Sequence, residues 1–178
     1  MRWREAGARQ KADNVERVCA ENQVTSAIEN GCGTGTVLKR LQELKFAKHF
    51  ACMDVSYSSS SVTFARNVCR NFISSACVAS AKASPFRNAA FDVAILSHSI
   101  EHLHEPAQAL AEPSRIARYI AVEVPTEVVL SNAQCFGKSG LRLAKPMVKQ
   151  ALKTLLPAAL YTRVLTSHST FLCKRAGT

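Results

Sequence analysis

Three glycines stand at alternate positions, 31, 33 and 35, two residues after an acid at Glu29. Glycine lets a backbone turn sharply and approach a ligand closely because no Cβ intervenes, so Glu29-Asn30-Gly31-Cys32-Gly33-Thr34-Gly35 reads as a cradle. A second acid, Asp54, follows 19 residues after Gly35, a spacing that suits an acceptor for ribose hydroxyls at the end of the next strand. The pair points to a nucleotide-type ligand. A dinucleotide fingerprint requires G-x-G-x-x-G, and Thr36 occupies the place of the third glycine, which disfavours a pyrophosphate. Against this stand plainer readings, in which the glycines only shape a turn and Asp54 only caps a helix. Cys32 reads as a small filler between glycines, since a nucleophilic thiolate needs an activating group.

A third constellation is His98-Ser99-Ile100-Glu101-His102, which spells the inverted zincin pattern H-x-x-E-H. Zinc would need a further ligand, and Glu105, Glu112, Glu123 and Glu127 are available downstream. The apolar strand before His98 and the glycine turn upstream fit a strand-to-helix loop better. His104 and His168 add no signal of their own.

These residues need elements to bring them together. Ala12, Val15, Val18 and Cys19 recur at helical spacing, which predicts a helix through about Ala20. A short β-leaning run, Val24 to Ile28, ends at Glu29; after the glycines, Val37, Leu38, Leu41 and Leu44 mark one side of a helix from Thr36. The unit repeats, with His49–Met53 as a strand ending at Asp54 and a helix from about Ser58 to Asn71. Ser74 to Val78 forms a third strand, with Ser80-Ala81 at its end. Phe91 to Leu96 is nearly all apolar, as a parallel strand covered on both faces should be, and it leads to Ser97-His98. A helix begins near Glu105-Pro106, where Pro suits the first turn, and Tyr119 to Val124 follows as a strand stopped by Pro125. Strands alternating with helices imply a parallel, doubly wound sheet, whose ligands bind outside the carboxyl ends of the strands. Glu29, Asp54, Ser80 and Ser97-His98 all sit at such ends.

A chain of 178 residues suits one domain, 1–178, divided into an N-terminal helix over 1–21, a core over 22–126 and a basic part over 127–178. With 47% apolar and 20% charged residues it is neither wholly disordered nor a membrane protein, and no apolar run is long enough for a transmembrane span. Its start carries no signal-peptide hydrophobic region. Seven cysteines without a C-x-x-C pair fit neither a disulfide framework nor a zinc knuckle, which favours reduced, buried thiols and a cytoplasmic location. Residues 128 to 178 hold eight Lys or Arg and no acid, so this part carries +8 of the net +10. Lys138, Arg142, Lys145, Lys149 and Lys153 would line one stripe of a continuous helix, although Pro146 restricts the secure helix to about Pro146–Leu156. Such a stripe is a solvated face, a surface for anionic acceptors or nucleic acid, or a membrane-interface contact; no RNA-binding module accompanies it. Tyr161–Leu165 and Thr170–Lys174 flank Ser167-His168-Ser169 as a terminal hairpin.

Taken in order, the Glu29 to Gly35 segment, Met53-Asp54-Val55-Ser56, Ser84-Pro85-Phe86 leading into Phe91-Asp92-Val93-Ala94, Ser97 to Leu103, and Val122-Glu123-Val124-Pro125 resemble the motifs of class I S-adenosylmethionine-dependent methyltransferases, of the type 11-like kind. The resemblance covers about residues 22 to 126. It implies an α/β three-layer sandwich with a doubly wound, mostly parallel, seven-stranded Rossmann-like sheet whose last strand is antiparallel, and S-adenosyl-L-methionine as cofactor. The backbone of Gly31, Cys32, Gly33 and Gly35 would cradle the methionine moiety and Glu29 would help anchor its amino group. Asp54 would hold the ribose hydroxyls, Val55 would lie against the adenine, and Ser97 would line the site. Ser80-Ala81 falls where the family usually has an Asp on the adenine amino group, a departure that costs a charge. Methyl transfer is an in-line displacement, so orientation and water exclusion do most of the work, with His98 and His102 as candidate bases for a protonated acceptor. The N-terminal helix, with Trp3 and Lys11, would close over the cofactor. The acceptor is not legible. A rival reading is a non-catalytic binding or scaffold protein that keeps the cofactor fold, favoured by the missing acid at Ser80.

Overall fold

The computed structural model describes residues 2–56, 71–100, 106–125, 162–165 and 168–174. Its elements are α1 (Arg2–Cys19), β1 (Ser26–Asn30), α2 (Thr36–Glu43), β2 (His49–Asp54), β3 (Ile73–Val78), β4 (Phe91–Ser97), α3 (Pro106–Ile116), β5 (Ala117–Pro125), β6 (Thr162–Leu165) and β7 (His168–Lys174). The strands form one seven-stranded sheet in the order β3-β2-β1-β4-β5-β7-β6. The pairs β1–β2, β1–β4, β2–β3 and β4–β5 are parallel. β7 inserts antiparallel between β5 and β6. The strand order therefore reverses between β1 and β4, and the crevice for a ligand falls at the carboxyl ends of those two strands.

The period of two in each strand sorts its side chains between two layers of core. Ala27, Cys52, Val93, Ile95 and Ala121 face one side, packed with Ala8, Ala12, Val15 and Val18 of α1 and Val37, Leu38 and Leu41 of α2. On the other side, Ile28, Met53 and Ala94 meet Ile116 of α3. Leu96, Ile120 and Val122 pack there with Leu110 and with Cys173 of β7. Because β1, β4 and β5 are covered on both faces, they can be apolar at successive positions, as the sequence of β4 suggests.

β1 lies two residues later than the β-leaning run implies. Val24 and Thr25 precede it, and Glu29 and Asn30 are inside it. The reason lies across the sheet at Asp92, whose carboxylate accepts hydrogen bonds from the backbone N–H groups of Thr25 and Ser26 at 2.8 and 2.9 Å. The Ser26 hydroxyl donates to the same carboxylate and accepts from the Asp92 N–H. This clasp fixes where β1 begins against β4. The terminal hairpin is present, with Leu165 opposite Ser169. The helix expected over Ser58–Asn71, His102, the H-x-x-E-H motif as a whole, the side chain of Trp3 and the basic stripe with its helix over Pro146–Leu156 lie outside the described residues. Among those described, no helix is long and apolar enough to cross a membrane.

Candidate functional site

The glycine turn runs straight out of β1. Gly31, Gly33 and Gly35 all have positive φ, at 80°, 48° and 69°, a region that side chains with a Cβ adopt only at a cost. The turn is tied to the neighbouring strand, since the Gly31 and Cys32 N–H groups both donate to the Met53 carbonyl, at 2.8 and 3.1 Å. The Gly35 N–H returns to the Cys32 carbonyl, and the Gly35 carbonyl takes the Lys39 N–H, which starts α2. A Cβ at Gly31 would meet the Ser99 Cβ at 3.1 Å, whereas one at Gly33 would enter open space. Gly31 thus permits the loop after β4 to close on the turn. Gly33 leaves its backbone approachable.

Asp54 ends β2 beside this turn, half-buried. One carboxylate oxygen accepts the Gly33 N–H at 2.9 Å and the other accepts the Ser56 N–H at 3.0 Å. Each oxygen has a second lone pair, so two further donors can be taken. Next to it Val55 is 77% exposed, and at the end of β3 Val78 is 44% exposed. Two large apolar side chains beside an acid at adjacent strand ends make a face suited to a flat, partly apolar group. Ser80 and Ala81 lie just beyond β3; the Ser80 hydroxyl accepts the Lys82 N–H at 3.2 Å, and Ser80 is exposed.

Glu29 and Asn30 are buried, at 2% and 1% exposure. One Glu29 carboxyl oxygen and both polar atoms of the Asn30 side chain are shut from solvent with no hydrogen-bond partner among the described residues, as is the Ser99 hydroxyl. Unpaired buried polar atoms cost on the order of 1–3 kcal/mol each, and here they cluster around one turn. Burial pushes the Glu29 carboxyl well above the usual range, and the neighbouring Cys52, Glu123 and Asp54 push it further, while Lys11 opposes them. A hydrogen bond with the Cys52 thiol, together with burial, raises the pKa of the free Cys32 thiol strongly. It is therefore a packed thiol and not a nucleophile.

At the exit of β4, the Ser97 hydroxyl donates to the buried Glu123 carboxylate of β5 at 2.8 Å. Asn14 of α1 donates to the other oxygen of Glu123 at 3.0 Å. His98 has φ 53°, and its N–H donates to the Glu123 carbonyl at 3.1 Å. The structure thus brings Glu29, the glycine turn, Asp54, Val55 and the Ser97-His98 exit to one end of the sheet. The Ser97 hydroxyl is directed into the layer under α1. Sequence reasoning placed Glu123 only in a strand motif and among candidate zinc ligands, and missed Asn14. The signal for Glu123 is an acid in the apolar run Ile120 to Val124, on the same face as Ala121. Asn14 gives none, because its partner lies 109 positions away.

A mostly parallel sheet whose strand order reverses between β1 and β4, a glycine turn after β1 and an acid at the end of β2 define the class of Rossmann-like nucleotide-binding proteins. Residues 28–119, just over half of the chain, match the family model of the methyltransferase domain. The chain belongs to that family, the class I S-adenosylmethionine-dependent methyltransferases. No curated protein matches it significantly. Among solved structures, it is similar to a Methanococcus maripaludis protein assigned as an S-adenosyl-L-methionine-dependent methyltransferase, with 13% identity, TM-score 0.70, and 98% of this chain and 94% of that one covered. It is also similar to the magnesium protoporphyrin IX methyltransferase of Synechocystis, solved with S-adenosylhomocysteine, at 15% identity and TM-score 0.68 over 96% of this chain and 84% of that one. A third is a Haloferax volcanii protein described as a methyltransferase, solved in complex with the Trm112 methyltransferase activator, at 20% identity and TM-score 0.56 over 68% of this chain. This chain spans 56% of that protein.

Proposed function

We propose that the chain binds S-adenosyl-L-methionine across the carboxyl ends of β1, β2 and β4 and transfers its methyl group to an acceptor recruited beside His98. The observation that carries this reading is the set of buried polar atoms on Glu29, Asn30 and Ser99 that have no partner among the described residues, gathered around a turn whose Gly33 is open. The residues fit the cofactor. Glu29 offers a carboxyl to its amino group, the backbone from Gly31 to Gly35 lies along its methionine part, and Asp54 keeps lone pairs for two ribose hydroxyls. Val55 and Val78 offer an apolar face to the adenine. When bound, the cofactor supplies an electrophilic methyl group on a sulfonium.

The chain's own contribution is orientation. The ties from Gly31 and Cys32 to Met53 hold the cradle in place before a ligand arrives, which lowers the ordering cost of binding. His98, held by its N–H on the Glu123 carbonyl, stands at the strand exit where a base for a protonated acceptor is required, with His102 four residues on. The excess of positive charge in the last 51 residues, 128 to 178, favours an anionic acceptor by raising its local concentration. Ser80 supplies a hydroxyl where relatives usually carry an acid, and cofactor affinity is correspondingly modest.

Calorimetry tests this directly. S-adenosylmethionine and S-adenosylhomocysteine should each bind 1:1 and NAD should not bind. Absence of binding by both adenosyl ligands would sink the reading. Binding with no methyl transfer across small acids, lipids and RNA would leave a non-catalytic cofactor-fold protein in its place.

A further inference from the structure

Glu29 sits on the face of the sheet that α1 covers, with Cys52 beside it on β2. Among the described residues, the groups acting on its carboxyl are Cys52 and Asp54 of β2, Glu123 of β5, Cys32 of the turn and a single cation, Lys11 of α1. No described residue forms an ion pair with Glu29, and one of its oxygens has no partner. A carboxyl at 2% exposure with one oxygen unpartnered among the described residues is unfavourable when charged, and Asp54 and Glu123 add to this, so burial favours the neutral acid in the empty site. Glu123 cannot move away to relieve this, because Asn14 and Ser97 hold both of its oxygens.

An ammonium group inverts that preference. Placed against Glu29, it supplies the hydrogen-bond donor and the positive charge that the carboxyl lacks, and an ionised Glu29 then becomes the favourable partner. We propose that binding of the cofactor's α-ammonium group is coupled to loss of the Glu29 proton to solvent, the burial of Glu29 and its unpartnered oxygen keeping it neutral until the ligand arrives. The inference rests on the S-adenosylmethionine reading of the site. Its balance is simple. One proton leaves Glu29 for the buffer, one ammonium takes over its hydrogen bond, and no bond to carbon or sulfur changes. The burial of Glu29, which raises the affinity of the empty site for a proton, agrees in direction.

The test uses the full chain and S-adenosylhomocysteine, whose neutral sulfur leaves the ammonium as its one cation. Below about pH 7 an α-amino group of pKa near 8 stays protonated, so on the acid side of neutrality affinity should rise with pH, approaching tenfold per pH unit where one proton is released on binding. Calorimetry in two buffers of different ionisation enthalpy should detect that proton release directly. Glu29→Gln should bind more weakly at pH 7 with a flat profile and no released proton. Glu123→Gln can keep both hydrogen bonds, since the Ser97 hydroxyl can accept as well as donate; it should move the pH dependence to lower pH, a shift that a purely structural role would not produce. Should Glu29→Gln fail to fold, the proton count of the wild-type chain decides, and no proton released on binding overturns the proposal. Wild-type binding that is independent of pH, with no proton released, overturns it while leaving the cofactor reading intact. A slope that survives in Glu29→Gln also overturns it, and assigns the proton to another group such as His98. No binding at any pH overturns both.

Discussion

At the scale of single residues, Asp54 and Gly33 carry linked roles that substitution can separate. Asp54→Ala removes the acceptor for the Gly33 and Ser56 N–H groups as well as the one proposed for the ribose. Cofactor binding should weaken by about 2–4 kcal/mol, roughly 30-fold to 1000-fold, as donors lose a charged partner. Thermal stability should fall as well, so affinity is read on protein shown to be folded by circular dichroism. Unchanged affinity in folded Asp54→Ala would remove the claim that this acid faces the ligand. Gly33→Val asks the converse question. Its Cβ enters open space, so the folded state loses only about 1–2 kcal/mol to the left-handed backbone at φ 48°, yet the added branches fill the approach to the ligand. Binding should vanish with a modest drop in melting temperature; retained binding would make the turn structural only. The glycines and both acids were legible because their spacing along the chain is itself the geometry of a strand-turn-helix unit. The Asn14–Glu123–Ser97 chain was not. It joins three distant segments, and nothing local distinguishes a buried Asn on α1 from an exposed one.

At the scale of elements, α3 is locked to the segment before β4 by one charged cluster. Arg115 donates to both oxygens of Glu112, at 2.6 and 2.9 Å, and the N–H and hydroxyl of Ser84 donate to the same carboxylate. Asn88 receives the remaining arm of the guanidinium. The Arg115 hydrogen bonds lower the Glu112 carboxyl from 4.5 to about 2, with the Ser84 bonds adding to them against the cost of burial. A carboxyl lowered on folding adds stability that is fully present above its unfolded pKa and is lost as pH falls from about 4.5 through about 2. Glu112→Gln should therefore lower the melting temperature at pH 7, and the gap to wild type should narrow between pH 4.5 and 2. A constant gap at every pH would show that the cluster acts by packing alone. Elements with a strong period were legible, including the buried β4 and the terminal hairpin. β1 was displaced because its start is set by the side chain of Asp92 on β4, a contact between segments 66 residues apart, and not by β propensity within 24 to 28.

For the whole molecule, the question is what the positive excess of residues 128–178, +8 of the net +10, is for. β7 pairs along β5, and its Leu172 and Cys173 join the cores on the two faces of the sheet. One use for such an excess is recruitment of an anionic acceptor. Changing Lys145, Lys149 and Lys153 together to Gln should leave cofactor affinity unchanged, because the glycine turn and Asp54 belong to β1 and β2. It should weaken retention on heparin, anionic vesicles or RNA at low salt. The loss should shrink as salt rises, since exposed charges are screened over about 8 Å at physiological ionic strength. Whichever matrix shows the largest salt-sensitive loss gives the chemical class of acceptor to screen first. Equal retention of wild type and variant on all three would make the segment a solubilising surface, and acceptor recognition would then fall to the loop beside His98.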